Sequence, residues 1–205
     1  METKFFTGKG DDGRSRVNGR EVSKSNPMVD FLGGLDELNS WLGFCRLAAE
    51  KFTEVRPPSI DGNFGSSNLP VLDVAGILKK IQNFLFIAQA EAAALGFGYE
   101  KSPKITEEEI KYFEEVIAEI DRVVPKIEKF VMAGGTELSA RLDVGRAIAR
   151  RVERQAKRYE PDEPEKCLTP ATLKFLNRLS SVLFALARYV NHASGVKEEH
   201  PTYEL

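Results

Sequence analysis

Two clusters in this sequence have the residue types and spacing to hold phosphate. In the first, Gly8-Lys9-Gly10-Asp11-Asp12-Gly13, the glycines let backbone N–H groups converge on anionic oxygens. Thr7, Lys9, Ser15 and Lys24 add hydroxyl donors and positive charge around them. In the second, Arg146, Arg150 and Arg154 recur at i, i+4 and i+8, with Arg151 beside them and Glu153 seven residues after Arg146. On a helix they form one strip. Guanidinium forks match phosphate oxygens, or carboxylates buried across an interface, better than lysine does. Each cluster also has a plainer reading. The glycine segment could be a solvated, turn-rich tail in which Asp11 and Asp12 make Asx turns. The arginine strip could be a solvated face stitched by Glu and Arg pairs.

The glycine run satisfies G-x-G-x-x-G literally, but that fingerprint works only between a buried strand and a helix. Here only Phe5-Phe6 precedes it and Arg14-Ser15-Arg16-Val17-Asn18-Gly19 follows it, so a dinucleotide fold is rejected. A P-loop is excluded as well, because no Gly-Lys-Ser/Thr triplet stands at the required spacing. Nucleic acid is a poor partner: the net charge is −2 and no aromatic series accompanies the arginines. His192 and His200 share no ligand spacing with other His, Cys or carboxylates, so neither is assigned to a metal. The two cysteines, Cys45 and Cys167, are too few and too scattered for a disulfide framework or a zinc site.

The elements that must position these residues read as helices. A chain of 205 residues, 42% hydrophobic and 29% charged, fits one globular domain with its own core. Residues 1–26 read as an extended segment. Pro27 then opens a helix carrying Phe31, Leu32, Leu35, Leu38, Leu42 and Cys45 at helical spacing. A second helix spans about 72–95, and a third starts at a Thr106/Glu109 capping box and runs to about Val124, before Pro125. Thr136 caps a fourth that reaches about Tyr159, and Thr169-Pro170 opens a fifth that ends near Gly195. The composition of 53–70 is that of a surface loop. The expected fold is all-α: a five-helix antiparallel bundle with ferritin-like up-down helices and an extended glycine-rich N-terminal segment, any short strand being confined to that segment. The N-terminus lacks the apolar core of a signal peptide and no run of about 18 apolar residues occurs, so the expected setting is cytoplasmic, with no membrane span.

In combination these pieces resemble the ATP:cob(I)alamin adenosyltransferases of the PduO type. The matching pieces are Thr7 to Gly13, Val22-Ser23-Lys24, Leu35-Asp36-Glu37-Leu38-Asn39-Ser40, Phe130 before Gly134-Gly135, Arg146 to Arg154, and Phe175-Leu176-Asn177-Arg178-Leu179-Ser180. The resemblance spans nearly the whole chain and rests on their order and spacing. It implies transfer of the 5′-deoxyadenosyl group of ATP to Co(I) of a corrinoid, giving adenosylcobalamin and triphosphate, on a homotrimer with ATP at the subunit interfaces. Magnesium would accompany ATP, and cob(I)alamin would be the substrate rather than a resident cofactor. A reductase and an adenosylcobalamin-dependent acceptor enzyme are implied as further partners.

By the same resemblance, Thr7, Gly8, Lys9, Gly10 and Ser15 wrap the triphosphate and Lys24 neutralises it, with Arg16 able either to supplement the charge or to obstruct the triphosphate. Arg150, Arg151, Glu153, Arg154 and Asn177 complete the nucleotide site. Asp36 pairs across the interface with Arg146, and Phe130 sits under the corrin, displacing the lower axial ligand of cobalt. Arg16 stands where a small hydroxyl residue is common, Gly34 where threonine is common, and Ala133 where proline is usual. Gly34 and Ala133 are expected to loosen the elements that carry Asp36 and Phe130. Two other classes are compatible with the same residues. One is a nucleotide- or corrinoid-binding sensor or carrier with little turnover. The other is a structural helical oligomer whose arginines only build an interface.

Overall fold

The computed structural model describes residues 5, 8–52, 71–95, 101–159 and 168–203. Thr7, Cys167 and the 53–70 segment lie outside the described residues. The order of elements is β1 (Arg14–Val17), β2 (Arg20–Ser23), α1 (Pro27–Ala49), α2 (Val74–Leu95), α3 (Glu107–Asp121), α4 (Glu137–Tyr159) and α5 (Pro170–Ala193). The all-α expectation therefore holds as a five-helix bundle, with one two-stranded hairpin in the first segment.

The hairpin turns at Asn18-Gly19. Val17 pairs with Arg20, leaving a two-residue loop whose φ values are +46° and +81°. Two consecutive positive φ angles are the primed-turn geometry that matches the twist of paired strands, and Asn-Gly supplies it at low cost. Val17 and Val22 turn toward the core, while Asn18 Nδ2 donates to the Ala93 carbonyl at 2.8 Å and ties the turn to the C-terminal end of α2.

Each helix starts where its cap dictates. Asn26 accepts from the Met28 N–H, with Pro27 in the first turn. Thr106 and Glu109 form a reciprocal capping box. Thr136 Oγ1 accepts from Ser139 N at 3.1 Å, and Thr169 accepts from Thr172 N ahead of α5. The third helix ends at Asp121 rather than near Val124: Val123 and Val124 both donate back to the Ile120 carbonyl in a tightening last turn before Pro125.

The core is continuous. Phe31, Leu35, Leu38, Leu42 and Cys45 of α1 are fully buried, and α1 packs between α2 and α4 while α5 packs between α3 and α4. Phe84, Phe113 and Phe175, from α2, α3 and α5, meet with ring centroids 5.1 to 6.3 Å apart, within aromatic packing distance. Burial pushes the Cys45 thiol up to about 12, against the opposing pull of the Arg141 charge. Glu91 is fully buried, and it accepts from Thr169 N at 2.8 Å and from Thr172 Oγ1 at 2.5 Å at the start of α5. Among the described residues, no helix is long and apolar enough to cross a membrane.

At Gly34 the expectation of loosening is replaced by close packing. A Cβ there would lie 2.2 Å from Gln155 Oε1, so the missing side chain is what lets Gln155 of α4 reach the Asp30 carbonyl of α1 at 3.3 Å.

Candidate functional site

The described part of the glycine segment is an ordered series of turns. Gly8 and Gly13 have φ of +68° and +81°, a conformation that glycine adopts without penalty. Gly13 N donates to the Gly10 carbonyl, and Asp12 Oδ1 accepts from Arg14 N at 3.1 Å, so Asp12 does make the Asx turn. Lys24, just past β2, places Nζ 2.7 Å from the Gly10 carbonyl. An ammonium has three protons, so this bond fixes the charge at the mouth of the loop and leaves donors over. Lys9 is exposed and Ser15 half-buried on β1. Arg16 directs Nε at the Gly19 carbonyl of its own hairpin, 3.3 Å away.

The arginine strip lies on α4 as the spacing requires. Arg146, half-buried, is followed by exposed Arg150 and Arg154. At the helical rise the strip extends over about 12 Å. Arg154 Nη1 donates to the Arg150 carbonyl at 2.9 Å. Arg151 forms an ion pair with Glu37 of α1, and Glu153 accepts from Asn177 of α5 at 2.9 Å. Part of the strip is therefore stitched to neighbouring helices by carboxylates and amides, as the plainer reading anticipates. The Arg150 guanidinium has no such partner among the described residues.

Phe130 stands on the 125–135 connection and is 82% exposed. Beside it lies an opening of about 520 Å³ lined by Phe130, Val131, Lys129, Ile127, Arg146 and Phe184. A second, of about 460 Å³, shares Ile127, Arg146 and Phe184 and runs on to Arg150, Ser180 and Ile117. The two make one groove leading from Phe130 along the arginine strip, with volumes in the range of small-molecule sites. Arg146 Nε and Arg188 Nε are buried there with no hydrogen-bond acceptor among the described residues. Arg146 Nε does lie 3.5 Å from Asp143 Oδ1, a charge contact without hydrogen-bond geometry. Orphaned buried donors are uncommon.

Several residues that shape this region carry no signal a motif search would notice. Asp143 and Arg188 form a buried ion pair at 2.6 Å, and Arg188 also reaches Glu198 at 2.5 Å. Asp143 further accepts from Gly134 N at 3.3 Å. Phe184 holds its ring 5.2 Å from the Arg188 guanidinium and 6.0 Å from that of Arg146, within cation–π range. The only trace in the sequence is spacing: Asp143 with Arg146 at i, i+3, and Phe184 with Arg188 at i, i+4. Gly134 and Gly135 have φ of +130° and +101°, and a Cβ on Gly135 would strike the Asn191 amide at 2.5 Å. That pair is glycine for backbone reasons, whatever stands at exposed Ala133.

Asp36 is exposed on α1 and has no partner within the chain among the described residues. The glycine segment and the Phe130 loop approach opposite ends of the bundle: the hairpin joins the C-terminal end of α2, while the loop leads into the start of α4.

A sequence profile described as cobalamin adenosyltransferase matches residues 5–190. A corrinoid adenosyltransferase of Bacillus subtilis is 31% identical over 94% of this chain and 89% of its own length. A cobalamin adenosyltransferase of Cupriavidus metallidurans is 29% identical, covering 94% of this chain and 91% of its own. Among solved structures, a phenylalanine-to-histidine variant of the PduO-type ATP:corrinoid adenosyltransferase from Lactobacillus reuteri, complexed with cobalamin and ATP, superposes with a TM-score of 0.77 at 30% identity. It covers 97% of this chain and 96% of that one. An arginine-to-lysine variant of the same enzyme, complexed with ATP, also gives 0.77, at 29% identity over 97% of this chain and 100% of that one.

Proposed function

The chain belongs to the cobalamin adenosyltransferase family, and from that premise we propose that it transfers the 5′-deoxyadenosyl group of ATP to Co(I) of a corrinoid, with release of triphosphate. The observation that carries this reading is the groove that joins an exposed Phe130 to Arg146 and Arg150. The separation of the two residues agrees with it. The phenylalanine and the arginine altered in the Lactobacillus reuteri structures stand twenty positions apart, as Phe130 and Arg150 do here.

The nucleophile in this chemistry is the Co(I) electron pair. It forms the cobalt–carbon bond at C5′ as the C5′–O bond breaks, and the bonding pair leaves with the triphosphate. Cobalt is formally oxidised by two electrons and no proton is transferred, so the protein needs no general base. Its work is to align cobalt with carbon and to stabilise charge on the leaving group. Arg150, Arg154 and Lys24 have the charge for the second task, with Gly8, Lys9, Gly10 and Ser15 offering donors around Lys24. Phe130, unburied and next to the groove, suits an apolar face beneath the corrin.

Magnesium fits as a companion of the triphosphate. Among the described residues no group of three His, Cys, Asp or Glu side chains could cage an ion, and a hard cation held mainly by phosphate oxygens and water needs none. The assembly we infer is a homotrimer in which Asp36 of one subunit meets Arg146 of the next, joining the hairpin of one chain to the arginine strip of another. A cytoplasmic setting, a reductase that supplies Co(I) and an acceptor enzyme for the product complete the reading.

The test is anaerobic. Purified protein is mixed with chemically reduced cob(I)alamin, ATP and magnesium while the corrinoid spectrum and triphosphate are followed. Adenosylcobalamin and triphosphate appearing in equal amounts is the expected result. ATP binding without either product would replace the enzyme by a carrier or sensor.

A further inference from the structure

We propose that the C-terminal tail positions the Phe130 loop, with His200 as the positioning residue. The idea rests on the corrinoid-side role given to Phe130 above and adds a part of the chain that the groove itself does not contain.

Phe130 is 82% exposed, so packing of its ring does not fix where it stands. The loop must be held through its backbone. Its far end is secured to the bundle: the Gly134 carbonyl accepts from Asn191 Nδ2 and Ser139 Oγ, both at 2.8 Å. At Phe130 itself the partners come from the tail. Met132 N donates to the Glu199 carbonyl at 2.8 Å, and His200 Nδ1 lies 2.8 Å from the Phe130 carbonyl. A carbonyl only accepts, so this bond requires the proton on Nδ1. The tail is anchored in turn one residue earlier, where Glu198 takes Arg188 Nη1 at 2.5 Å and Asn191 Nδ2 at 3.3 Å. Arg188 holds Asp143. The position of Phe130 is thus relayed from the buried Asp143–Arg188 pair through Glu198 to two consecutive tail residues.

His200 is exposed, so losing its ring removes one surface hydrogen bond and little packing. The effect should fall on the geometry of the loop, not on the fold. The pair of variants that separates these is His200→Ala, which deletes the donor, and His200→Asn, whose amide nitrogen can occupy nearly the place of Nδ1.

In steady-state assays His200→Ala should raise the corrinoid KM by about 2–10-fold, the worth of one such bond, with the ATP KM and the melting temperature unchanged. His200→Asn should recover most of the loss. In amide hydrogen exchange, Met132 should exchange faster in His200→Ala than in the wild type. Unaltered corrinoid kinetics in His200→Ala would overturn the proposal. So would an Asn variant no better than Ala, or parallel losses for both substrates together with a lower melting temperature. A wild-type protein that makes no adenosylated product would instead refute the function. In that case the exchange of Met132 still decides the brace: faster exchange in His200→Ala upholds it, and equal exchange overturns it.

Discussion

Phe130 and the arginines behave differently as residues although both are exposed. On α4, Arg151 is committed to Glu37 and Arg154 to the Arg150 carbonyl, so these two already have a structural use. Phe130 has none that burial would explain: an aromatic ring left 82% in water forgoes the stabilisation that a buried Phe gives, about 1.5–3 kcal/mol. Truncating it should therefore leave stability nearly unchanged and act on chemistry alone. Phe130→Ala is expected to lower the adenosylation rate by at least about tenfold, over 1.4 kcal/mol of transition-state stabilisation, while ATP affinity measured by calorimetry stays within twofold. Intact activity, or joint collapse of both properties, would remove Phe130 from the corrinoid side of the site.

At the level of elements, the helices start where side chains satisfy their first N–H groups, and α3 shows this most completely. Thr106 Oγ1 accepts from Glu108 N, while Glu109 accepts from Thr106 N at 2.8 Å and from Thr106 Oγ1 at 2.6 Å. Partial burial alone would raise the Glu109 carboxyl, but the hydrogen bonds from Thr106 outweigh it and hold the group below its ordinary value. The sign of the linkage follows: a depressed native carboxylate stabilises the fold above its unfolded pKa, and the contribution fades as pH falls through the native value. Thr106→Ala should cost about 1 kcal/mol at pH 7, with a smaller difference from wild type in urea unfolding near pH 3. A difference independent of pH would show that the cap acts without Glu109. α3 leads, at its other end, into the 125–135 connection that carries Phe130.

For the molecule as a whole, the single chain keeps Asp36 and the hairpin apart from any partner for Arg146, whose nearest carboxylate is its own Asp143. The outward face along α1 and α4 carries exposed apolar side chains at several points. Phe44 is 46% exposed, Leu47 55% and Val144 45%, and Arg141 lays its guanidinium 3.6 Å over the Phe44 ring. Asp36, Phe44 and Leu47 share one side of α1 by helical spacing, so the proposed Asp36–Arg146 contact and the apolar points belong to one surface. Light scattering should give a mass three times the 22.9 kDa of the chain, and Phe44→Arg should shift it toward monomer and weaken ATP binding at the same protein concentration. A wild-type monomer that binds ATP as tightly would defeat the shared-site reading.

Periodicity, caps and turn residues were enough to locate all five helices, because these signals are local: a stripe such as Phe31, Leu35, Leu38 and Leu42 reports its own buried face, and Asn26, Thr106 and Thr169 report their own helix starts. The arginine strip was legible for the same reason, since i, i+4 spacing fixes a common face. Burial and long-range contact decided the rest. Gly34 by itself reads as a weak point of α1, whereas in the fold Gln155 occupies the space a side chain there would need. Asp143 and Arg188, forty-five residues apart, look like ordinary surface charges until α4 and α5 bury them against each other. His200, with no ligand spacing to mark it, gained a partner only when the tail folded back to the Phe130 carbonyl. A sequence states what each segment prefers alone, whereas the worth of a charge, a glycine or a histidine depends on what another segment places beside it.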